Sequence, residues 1–382
     1  MKGRPTIAFI HKNFPYGGAE QVTIDVANYL CRQGYRVIIL AMNHRETSYP
    51  AGTERLFNVR LLPHGQIKQS LKVAHAVRDY ILKEQIDVLI TYRELLYAKW
   101  LKKQTGVKMV FELHSTPYYE FVDIAEKRSE SMWKNLFYGC GVEWLLRQFY
   151  KSKYRRIYNW CNAYGVLCDS YRQELVRHLH VFVDNQKVWV LPNSIKPSNR
   201  VTLKKEKMML FVGRLIHRDK RVDRLLRIWQ QVQNELPDWN LEIVGDGKAA
   251  SQLKALAKEL ALQRYTFVGY STHVKDYYDK ASILCLTSSF EGWPICVAEA
   301  QANGVVPVVF NSFLGAPDLI AKPNEGILVA PYDEVDFARQ LVALAKNEAR
   351  LTDMQQAVIQ KAKTYTIERS GKAWEEMLQY II

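Results

Sequence analysis

Cysteines are few in this chain, and none stands at metal-binding spacing. The 382 residues contain no Cys-x-x-Cys pair, and the six cysteines are scattered: Cys31, Cys140, Cys161, Cys168, Cys285 and Cys296. The scatter argues against a disulfide framework or a zinc site and predicts ordinary buried thiols. An Asp-x-Asp metal motif is also missing. We therefore expect neither a metal ion nor another cofactor.

Long apolar runs are missing too. No stretch reaches the ~20 uninterrupted apolar residues that a membrane span needs. The run at residues 7–10 is cut by His11-Lys12-Asn13, too early for the core of a signal peptide, and it predicts a buried first strand. We expect a cytoplasmic protein.

Acidic residues are in deficit. Lys and Arg number 53 against 39 Asp and Glu, a formal net charge of +14. Such a surplus favours an anionic partner, which is a nucleic acid, an anionic membrane or a phosphorylated substrate. Because no known nucleic-acid module accompanies the basic residues, we expect no nucleic-acid partner.

Short apolar runs alternate with amphipathic stretches along the whole chain. The amphipathic stretches include residues 20–32, 222–235 and 248–262. The apolar runs cover residues 7–10, 37–40, 59–62, 87–91, 108–113, 163–168 and 187–191, then 208–212, 241–244, 265–268, 283–286, 305–309 and 326–329. Runs without strict alternation suit parallel strands buried on both faces. The pattern predicts an α/β protein with two doubly wound, Rossmann-like domains facing a cleft.

Turn-forming residues and a charge run at 192–207 mark the boundary between these domains. We predict a first domain at 1–196, a second at 197–365, and a final helix at 366–382. Residues 121–160 interrupt the strand pattern of the first domain. Their basic and aromatic residues predict either a helical excursion packed on its own domain or a flank that touches an anionic membrane.

Two glutamates frame the start of a predicted helix in the second domain. Glu291 follows the strand at 283–286, Pro294 suits a first helical turn, and Glu299 lies roughly a turn and a half further on. The N–H groups of such a helix start suit a diphosphate, and flanking carboxylates can accept hydrogen bonds from hydroxyl-rich groups. An ordinary capping acid with a surface acid fits the spacing equally well.

Other candidates follow strands in the same way. Gly17-Gly18 permits close backbone approach to a ligand or forms a plain turn. His114 ends the strand at 108–113 and can donate a hydrogen bond to a ligand, whereas Glu112 is expected to point the other way. Gly245-Asp246-Gly247 is interpreted as a turn, and contact with a donor is the less favoured alternative. The remaining group is a basic cluster that binds phosphate or forms a solvated loop: Arg214, Arg218, Lys220 and Arg221.

Several of these motifs together resemble the retaining glycosyltransferases of family 4, which are two-domain enzymes of the GT-B fold. Glu291 and Glu299 have the Glu-x7-Glu spacing, which begins with Glu291-Gly292-Trp293-Pro294. Together with Ala300 and the later Gly304-Val305-Val306-Pro307, this segment is similar to the family signature. Three further matches extend the resemblance over nearly the whole chain: Phe14-Pro15-Tyr16-Gly17-Gly18-Ala19-Glu20, Pro192-Asn193-Ser194, and Phe211-Val212-Gly213-Arg214-Leu215 with Lys220. The family commonly has glycine after this lysine, where this chain has Arg221.

The resemblance implies a first domain that binds the acceptor and a second that binds a nucleotide-sugar, with the last helix crossing back to the first domain. It implies catalytic roles for Glu291, His114, Arg214 and Lys220. Glu291 and His114 would contact the sugar, Glu299 the ribose, and Arg214 and Lys220 the diphosphate. The expected donor-binding residues are Gly17, Gly18, Arg214, Lys220, Glu291, Gly292, Trp293, Pro294, Ile295, Cys296 and Glu299.

The reaction implied is the transfer of a hexose-type sugar, with retention, from a nucleotide diphosphate to a hydroxyl of a glycan or lipid-linked acceptor. A UDP-sugar is the favoured donor and a GDP-sugar the alternative. Surface polysaccharide or glycolipid biosynthesis is the expected process, with peripheral contact at the inner face of the cytoplasmic membrane. The competing readings are a sugar-nucleotide epimerase or a phosphorylase of the same fold, and a non-catalytic sugar-nucleotide-binding scaffold at the membrane.

Overall fold

A computed structural model describes residues 4–15, 17–46, 49, 53–122, 124, 141–179, 186–196 and 201–382. The chain divides into two compact units. The first comprises Met1–Ser194 together with Ile367–Ile382, and the second comprises Ile195–Thr366.

A parallel sheet forms the centre of the first unit. Its strands in the described part of the chain are β1 Thr6–Phe14, β2 Arg36–His44, β3 Asn58–Leu61, β4 Val88–Thr91, β5 Lys108–Leu113, β6 Ala163–Val166 and β7 Val188–Val190. Their order is β3-β2-β1-β4-β5-β6-β7, and each neighbouring pair is parallel. The order reverses between β1 and β4, which makes this edge the switch point where α/β proteins bind ligands.

The second unit repeats this plan. Its described strands are β8 Met208–Val212, β9 Asn240–Val244, β10 Tyr265–Gly269, β11 Ile283–Leu286, β12 Val306–Phe310 and β13 Ile327–Val329. They are parallel and follow the order β10-β9-β8-β11-β12-β13. Here the switch point lies between β8 and β11.

Helices connect the strands of both sheets. Those described are α1 Gly18–Arg32, α2 Leu71–Glu84, α3 Ala98–Thr105, α4 Val142–Trp160, α5 Asp169–Leu179, α6 His217–Lys220, α7 Val222–Val232, α8 Ala250–Glu259, α9 Val274–Lys280, α10 Ile295–Ala302, α11 Ala316–Leu319, α12 Glu334–Ala345, α13 Glu348–Ala362 and α14 Ile367–Ile381. A right-handed helical crossover is the connection that parallel neighbours require.

The last helix, α14, completes the core of the first unit. Trp374 is fully buried, and its ring centroid lies 5.8 Å from that of Phe9 on β1. Gly371 lets α14 pack directly on the Tyr29 ring of α1, because a Cβ at this position would lie 2.2 Å from that ring. The C-terminal segment therefore contributes packing to the unit that begins the chain.

The predicted α/β architecture with two Rossmann-like sheets is confirmed. Every apolar run predicted as a strand overlaps one in the structure. Inner strands such as β4 and β11 are buried along their whole length, whereas the edge strands β3 and β10 are half-buried or exposed. Within the predicted excursion at 121–160, residue 123 and residues 125–140 lie outside the described residues, and the remainder includes α4. The acceptor and donor roles of the domains, and the cleft, stay predictions.

Candidate active site

The loops after β8 and β11 meet at the switch point of the second unit. Lys220 ends the short helix α6 that follows β8, and Glu291 lies in the loop after β11. Lys220 Nζ donates to Glu291 Oε1 at 2.6 Å, and Ser288 Oγ donates to the same oxygen at 2.6 Å. Burial lowers the pKa of Lys220, but the charge and hydrogen bond of Glu291 outweigh it, so this pKa is raised overall. The lysine is thus held in its charged form.

Two hydrogen bonds to backbone carbonyls tie the loop carrying Lys220 to the loop carrying Glu291. Ser289 N donates to Asp219 O at 2.9 Å, and Thr287 Oγ1 donates to Arg221 O at 3.0 Å. Arg221 adopts a left-handed conformation with φ of +46°. Glycine adopts this conformation without steric cost, which explains why the related motif favours glycine after its lysine.

The other basic residues of this cluster differ in their surroundings. Arg221 Nε donates to Asp223 Oδ1 at 3.0 Å, and Arg218 Nε donates to Asp219 Oδ1 at 2.9 Å. Arg214 is exposed, and it makes no ion pair with the described residues. Among the arginines of this cluster, Arg214 is therefore the one that has no carboxylate partner within the described residues.

The segment that carries Arg214 is clamped by the loop after β9. Gly213 N donates to Val244 O at 3.0 Å, and Leu215 N donates to Asp246 O at 2.9 Å. A Cβ on Gly245 would lie 1.9 Å from Gly213 O. The glycine at this turn therefore permits a close approach between two backbones, and this approach positions Arg214.

Helix α10 begins beside Glu291. Pro294 is its N-cap residue and not, as predicted, part of the first turn, because the helix begins at Ile295. Glu299 lies within α10 and accepts a hydrogen bond from the buried Tyr278 hydroxyl at 2.9 Å. Burial raises the pKa of Glu299, and this hydrogen bond opposes the rise. Burial also raises the pKa of the Cys296 thiol to about 12, so this cysteine is no nucleophile at neutral pH.

Trp293, the largest of the predicted donor-binding residues, packs into its own unit. Its ring is 9 % exposed and meets the Tyr365 ring edge-on, with centroids 5.2 Å apart. Gly292 is half-buried beside it. The indole therefore anchors the loop between β11 and α10.

In the first unit, the predicted residues lie at the carboxyl ends of β1 and β5. Gly17 is the N-cap of α1 in an extended conformation, Gly18 is the first helical residue, and both are exposed. The start of this long helix presents backbone N–H groups next to the switch point between β1 and β4. His114 follows β5 at the same edge of the sheet.

The expectation that Glu112 points away from His114 is wrong. Glu112 Oε1 lies 3.2 Å from His114 Nε2. The reason is the period of two along a strand, which places the side chains of residues 112 and 114 on one face. Tyr92, just after β4, packs edge-on against the His114 ring with centroids 4.5 Å apart.

Two sequence models of known protein families match the chain. The model described as Glycosyltransferase Family 4 matches residues 16–199, and the model described as Glycosyl transferases group 1 matches residues 195–365. The chain belongs to glycosyltransferase family 4. The resemblance expected from the sequence motifs is thereby confirmed.

Relatives of this glycosyltransferase match along nearly its whole length. An uncharacterized glycosyltransferase of Haemophilus influenzae is 27% identical over 95% of this chain and 96% of its own. A protein of Campylobacter jejuni is 26% identical over 97% of this chain and 98% of its own. It is named as an α-1,4-N-acetyl-D-galactosaminyltransferase acting on a diphosphoundecaprenol-linked glycan.

Solved structures share the fold of this glycosyltransferase. Anabaena Alr3699/HepE in complex with UDP-glucose superposes with a TM-score of 0.76 at 14% identity, covering 98% of this chain and 99% of that one. WaaG, described as a glycosyltransferase involved in lipopolysaccharide biosynthesis, gives a TM-score of 0.72 at 16% identity over 97% and 98%. These likenesses support the GT-B architecture.

Helix α4 contains the basic residues that the sequence analysis singled out, and some of their positive charges are neutralised in the structure. Within α4, Lys153 pairs with Glu120 at 2.8 Å and Arg156 pairs with Glu94 at 2.5 Å, so carboxylates from elsewhere neutralise them. Three large apolar side chains of α4 are exposed by about 60 %: Trp144, Leu145 and Phe149. Across the part of the chain that the structure describes, no helix is both long enough and apolar enough to span a membrane.

Sequence reasoning missed the partners that hold the predicted residues. Ser288 and Tyr278 bind the two glutamates of the second unit, and Glu112 and Tyr92 surround His114. Ser288 alone had a local signal, since it stands three residues before Glu291. The other contacts depend on which strands and helices are neighbours.

Proposed function

We propose that this glycosyltransferase transfers a hexose-type sugar from a nucleotide diphosphate to a hydroxyl of a glycan or lipid-linked acceptor, with retention and without a metal ion. A UDP-sugar is the favoured donor, and a GDP-sugar is the alternative. The Campylobacter relative, named for a diphosphoundecaprenol-linked acceptor, and the fold shared with a UDP-glucose complex support this choice. Surface polysaccharide or glycolipid biosynthesis is the proposed process.

The observation that carries the proposal is the Lys220–Glu291 pair at the switch point of the second unit. Lys220 and Ser288 hold the Glu291 carboxylate in place at the edge of the sheet, and we assign this carboxylate to a sugar hydroxyl. Arg214 then supplies uncompensated positive charge for a diphosphate, helped by the α10 N–H groups near Ile295 and Cys296. Glu299 is assigned to the ribose.

Three residues of the first unit are also assigned to the donor. The backbone N–H groups at Gly17 and Gly18 are available for hydrogen bonds to the donor, and the imidazole of His114 is assigned to a hydroxyl of the donor sugar. These roles rest on the exposed start of α1 and on the place of His114 at the end of β5.

In the proposed reaction, the bond between the anomeric carbon and the donor phosphate oxygen breaks as the bond to the acceptor oxygen forms on the same face. The acceptor proton passes to the leaving phosphate oxygen. Arg214, Lys220 and the helix N–H groups stabilise the negative charge that develops on the diphosphate. Glu291 and His114 hold the sugar while it becomes oxocarbenium-like.

A thermal-shift screen of nucleotide-sugars tests donor binding. A true donor should raise the unfolding temperature of the wild type, because ligand binding stabilises the folded state. Glu291→Gln should reduce this shift and lower turnover at least a hundredfold. Glu325→Gln is the matched control, since it changes another buried carboxylate of the same unit. Equal donor shifts and turnover in Glu291→Gln and the wild type would contradict the assignment.

Retention and metal independence need separate measurements. NMR of the first product formed should give the same anomeric configuration as the donor, and activity should persist in excess EDTA. An inverted product would refute retention. Loss of activity in EDTA, restored by a divalent ion, would refute metal independence.

Turnover assays separate the alternatives. Release of the nucleotide diphosphate should depend on an acceptor, whereas an epimerase needs none and a phosphorylase needs inorganic phosphate. Donor binding without turnover on any acceptor pool would favour the non-catalytic scaffold.

We further propose that α4 docks on the inner face of the cytoplasmic membrane. Trp144, Leu145 and Phe149 expose apolar surface on adjacent turns of one helix, and aromatic side chains of this kind settle at the lipid interface. With Lys153 and Arg156 paired, these apolar residues carry more of the expected binding than the basic ones.

Sedimentation with vesicles containing anionic phosphatidylglycerol tests the docking. The double variant Trp144→Ser, Phe149→Ser should bind at least fivefold less than the wild type. Leu71→Ser, at an exposed leucine of the same unit, is the control and should bind unchanged. Equal binding of the double variant and the wild type would refute a role of α4.

A further inference from the structure

Glu112 is a buried carboxylate to which the proposed reaction assigns no task. It lies on β5 with 1 % of its surface exposed, and neither oxygen has a well-aligned hydrogen bond to the described residues. A buried carboxylate without partners is destabilising. His114 Nε2, 3.2 Å from Oε1, supplies a compensating contact, and this nitrogen is itself buried and without an aligned hydrogen bond.

Two other titratable side chains near His114, those of Tyr92 and His11, are held in their neutral forms. Tyr92 packs on the imidazole ring, and burial, reinforced by the charge of Glu112, raises the pKa of its hydroxyl well above the ordinary value. Burial lowers the pKa of His11, and Glu20 only partly offsets this. Glu20 Oε1 lies 3.8 Å from His11 Nδ1. Burial raises the pKa of Glu20, but its contacts with His11 and the charge of His114 lower it overall.

The Tyr92 hydroxyl contacts both Thr23 and Glu112. It shares a hydrogen bond of 2.7 Å with Thr23 Oγ1, which in turn lies 3.0 Å from His11 Nε2. Tyr92 therefore offers the imidazole a ring face and no strong charge. The charged group in direct contact with His114 is Glu112.

We propose that Glu112 is a positioning residue for His114: its carboxylate accepts the Nε2 proton and leaves Nδ1 as the nitrogen that faces the sugar donor. Alignment that is loose without a ligand and tightens in the reacting complex is common in active sites. The arrangement corresponds to the carboxylates that orient histidines elsewhere in enzymes. The inference rests on the proposed role of His114 and adds a residue that acts through it.

A double-mutant cycle tests this assignment. In the wild-type background, Glu112→Gln should lower kcat about tenfold with little change in donor KM, the loss typical of an orienting partner. In the His114→Ala background, the same change should alter kcat less than twofold, because its target is gone. Glu112→Asp should recover part of the wild-type kcat.

Glu84→Gln is the matched control. Glu84 is also a buried carboxylate of the first unit, but it pairs with Arg36 and Arg60 and not with His114. This variant should unfold at a lower temperature and keep the wild-type kcat.

Two outcomes separate the inference from the proposal on which it rests. If His114→Ala leaves kcat unchanged, the proposed role of His114 fails. If His114→Ala lowers kcat but Glu112→Gln lowers it equally in both backgrounds, Glu112 acts only through stability and the inference is overturned.

Discussion

The contact between Gly245 and Gly213 gives a prediction whose size follows from the structure. In Gly245→Ala, the new Cβ would lie 1.9 Å from Gly213 O, although real Cβ atoms essentially never approach within 3.0 Å. One of the two backbones must move by about 1 Å, which a close-packed interior does not absorb without strain. The φ of Gly245, +139°, adds strain of its own because side chains rarely adopt it.

The expected cost combines two effects. Moving Gly213 away weakens the Gly213 N to Val244 O and Leu215 N to Asp246 O bonds, at about 1 kcal/mol each. The unfavourable dihedral adds about 1–3 kcal/mol. A total of about 3–5 kcal/mol corresponds to a fall of roughly 10 °C in the unfolding temperature of a unit of this size. Because the displaced segment carries Arg214, which we assign to the donor diphosphate, affinity for UDP, the nucleotide of the proposed donor, should also fall about tenfold, the loss of roughly one charged hydrogen bond.

Gly269→Ala is the control for this experiment. Gly269 has a φ of +85°, but a Cβ there meets nothing within 4 Å, so the substitution isolates the dihedral cost without the clash. Calorimetric unfolding should place it about 1 kcal/mol below the wild type, with UDP binding retained. If Gly245→Ala unfolds no earlier than Gly269→Ala, the clash is relieved cheaply and the reasoning is wrong.

Three further predictions concern single positions. Arg221→Gly should be about 1 kcal/mol more stable than Arg221→Ala in denaturant unfolding, because both lose the Asp223 contact and glycine alone accepts φ of +46° freely; equal stabilities would contradict this. Burial lowers the pKa of Lys205 from its ordinary 10.5 to about 8, so its contribution to stability should rise with pH between these values, where the unfolded chain binds more protons. NMR of dimethylated lysines should show one signal that titrates with a midpoint near pH 8 and is missing from the Lys205→Arg variant. If that signal persists in the variant, its assignment to Lys205 is refuted. Gly371→Ala should destabilise by about 1–3 kcal/mol despite better helix propensity, because its Cβ meets the Tyr29 ring at 2.2 Å; an unchanged melting temperature would show that the ring yields.

The strands were predictable because their signal is local. Runs such as those of β5 and β8 coincide with the structure residue for residue, since strands buried on both faces are mainly apolar. The residues that follow these strands were predictable as candidate site residues from the geometry of the sheet. In a parallel sheet, the carboxyl ends of the strands meet at one edge.

The partners of the candidate residues were not predictable in this way. Lys220 meets a glutamate 71 positions away, and Lys153 of α4 meets Glu120, which no helical periodicity within α4 reveals. A run of basic residues without acids nearby therefore predicted a charged face where the structure has ion pairs. The expectation for Glu112 was wrong for a different reason, since residues two apart along a strand share a face and Glu112 therefore meets His114.

In the second unit, Lys220 and Glu291 lie at the reversal of strand order, where β8 is beside β11. In the first unit, Gly17 and Gly18 lie at the reversal between β1 and β4, and His114 follows the next strand, β5. At such a point two loops diverge and expose the backbone and side chains that lie between them. The residues in the two loops come from distant parts of the sequence, so each site depends on the strand pairing before it depends on any motif. The Glu-x7-Glu spacing becomes specific only when β11 pairs with β8 and brings Glu291 onto Lys220. By the same argument, the surroundings of Glu112 and His114 form only when β4 pairs with β5, because this pairing packs Tyr92 against the His114 ring.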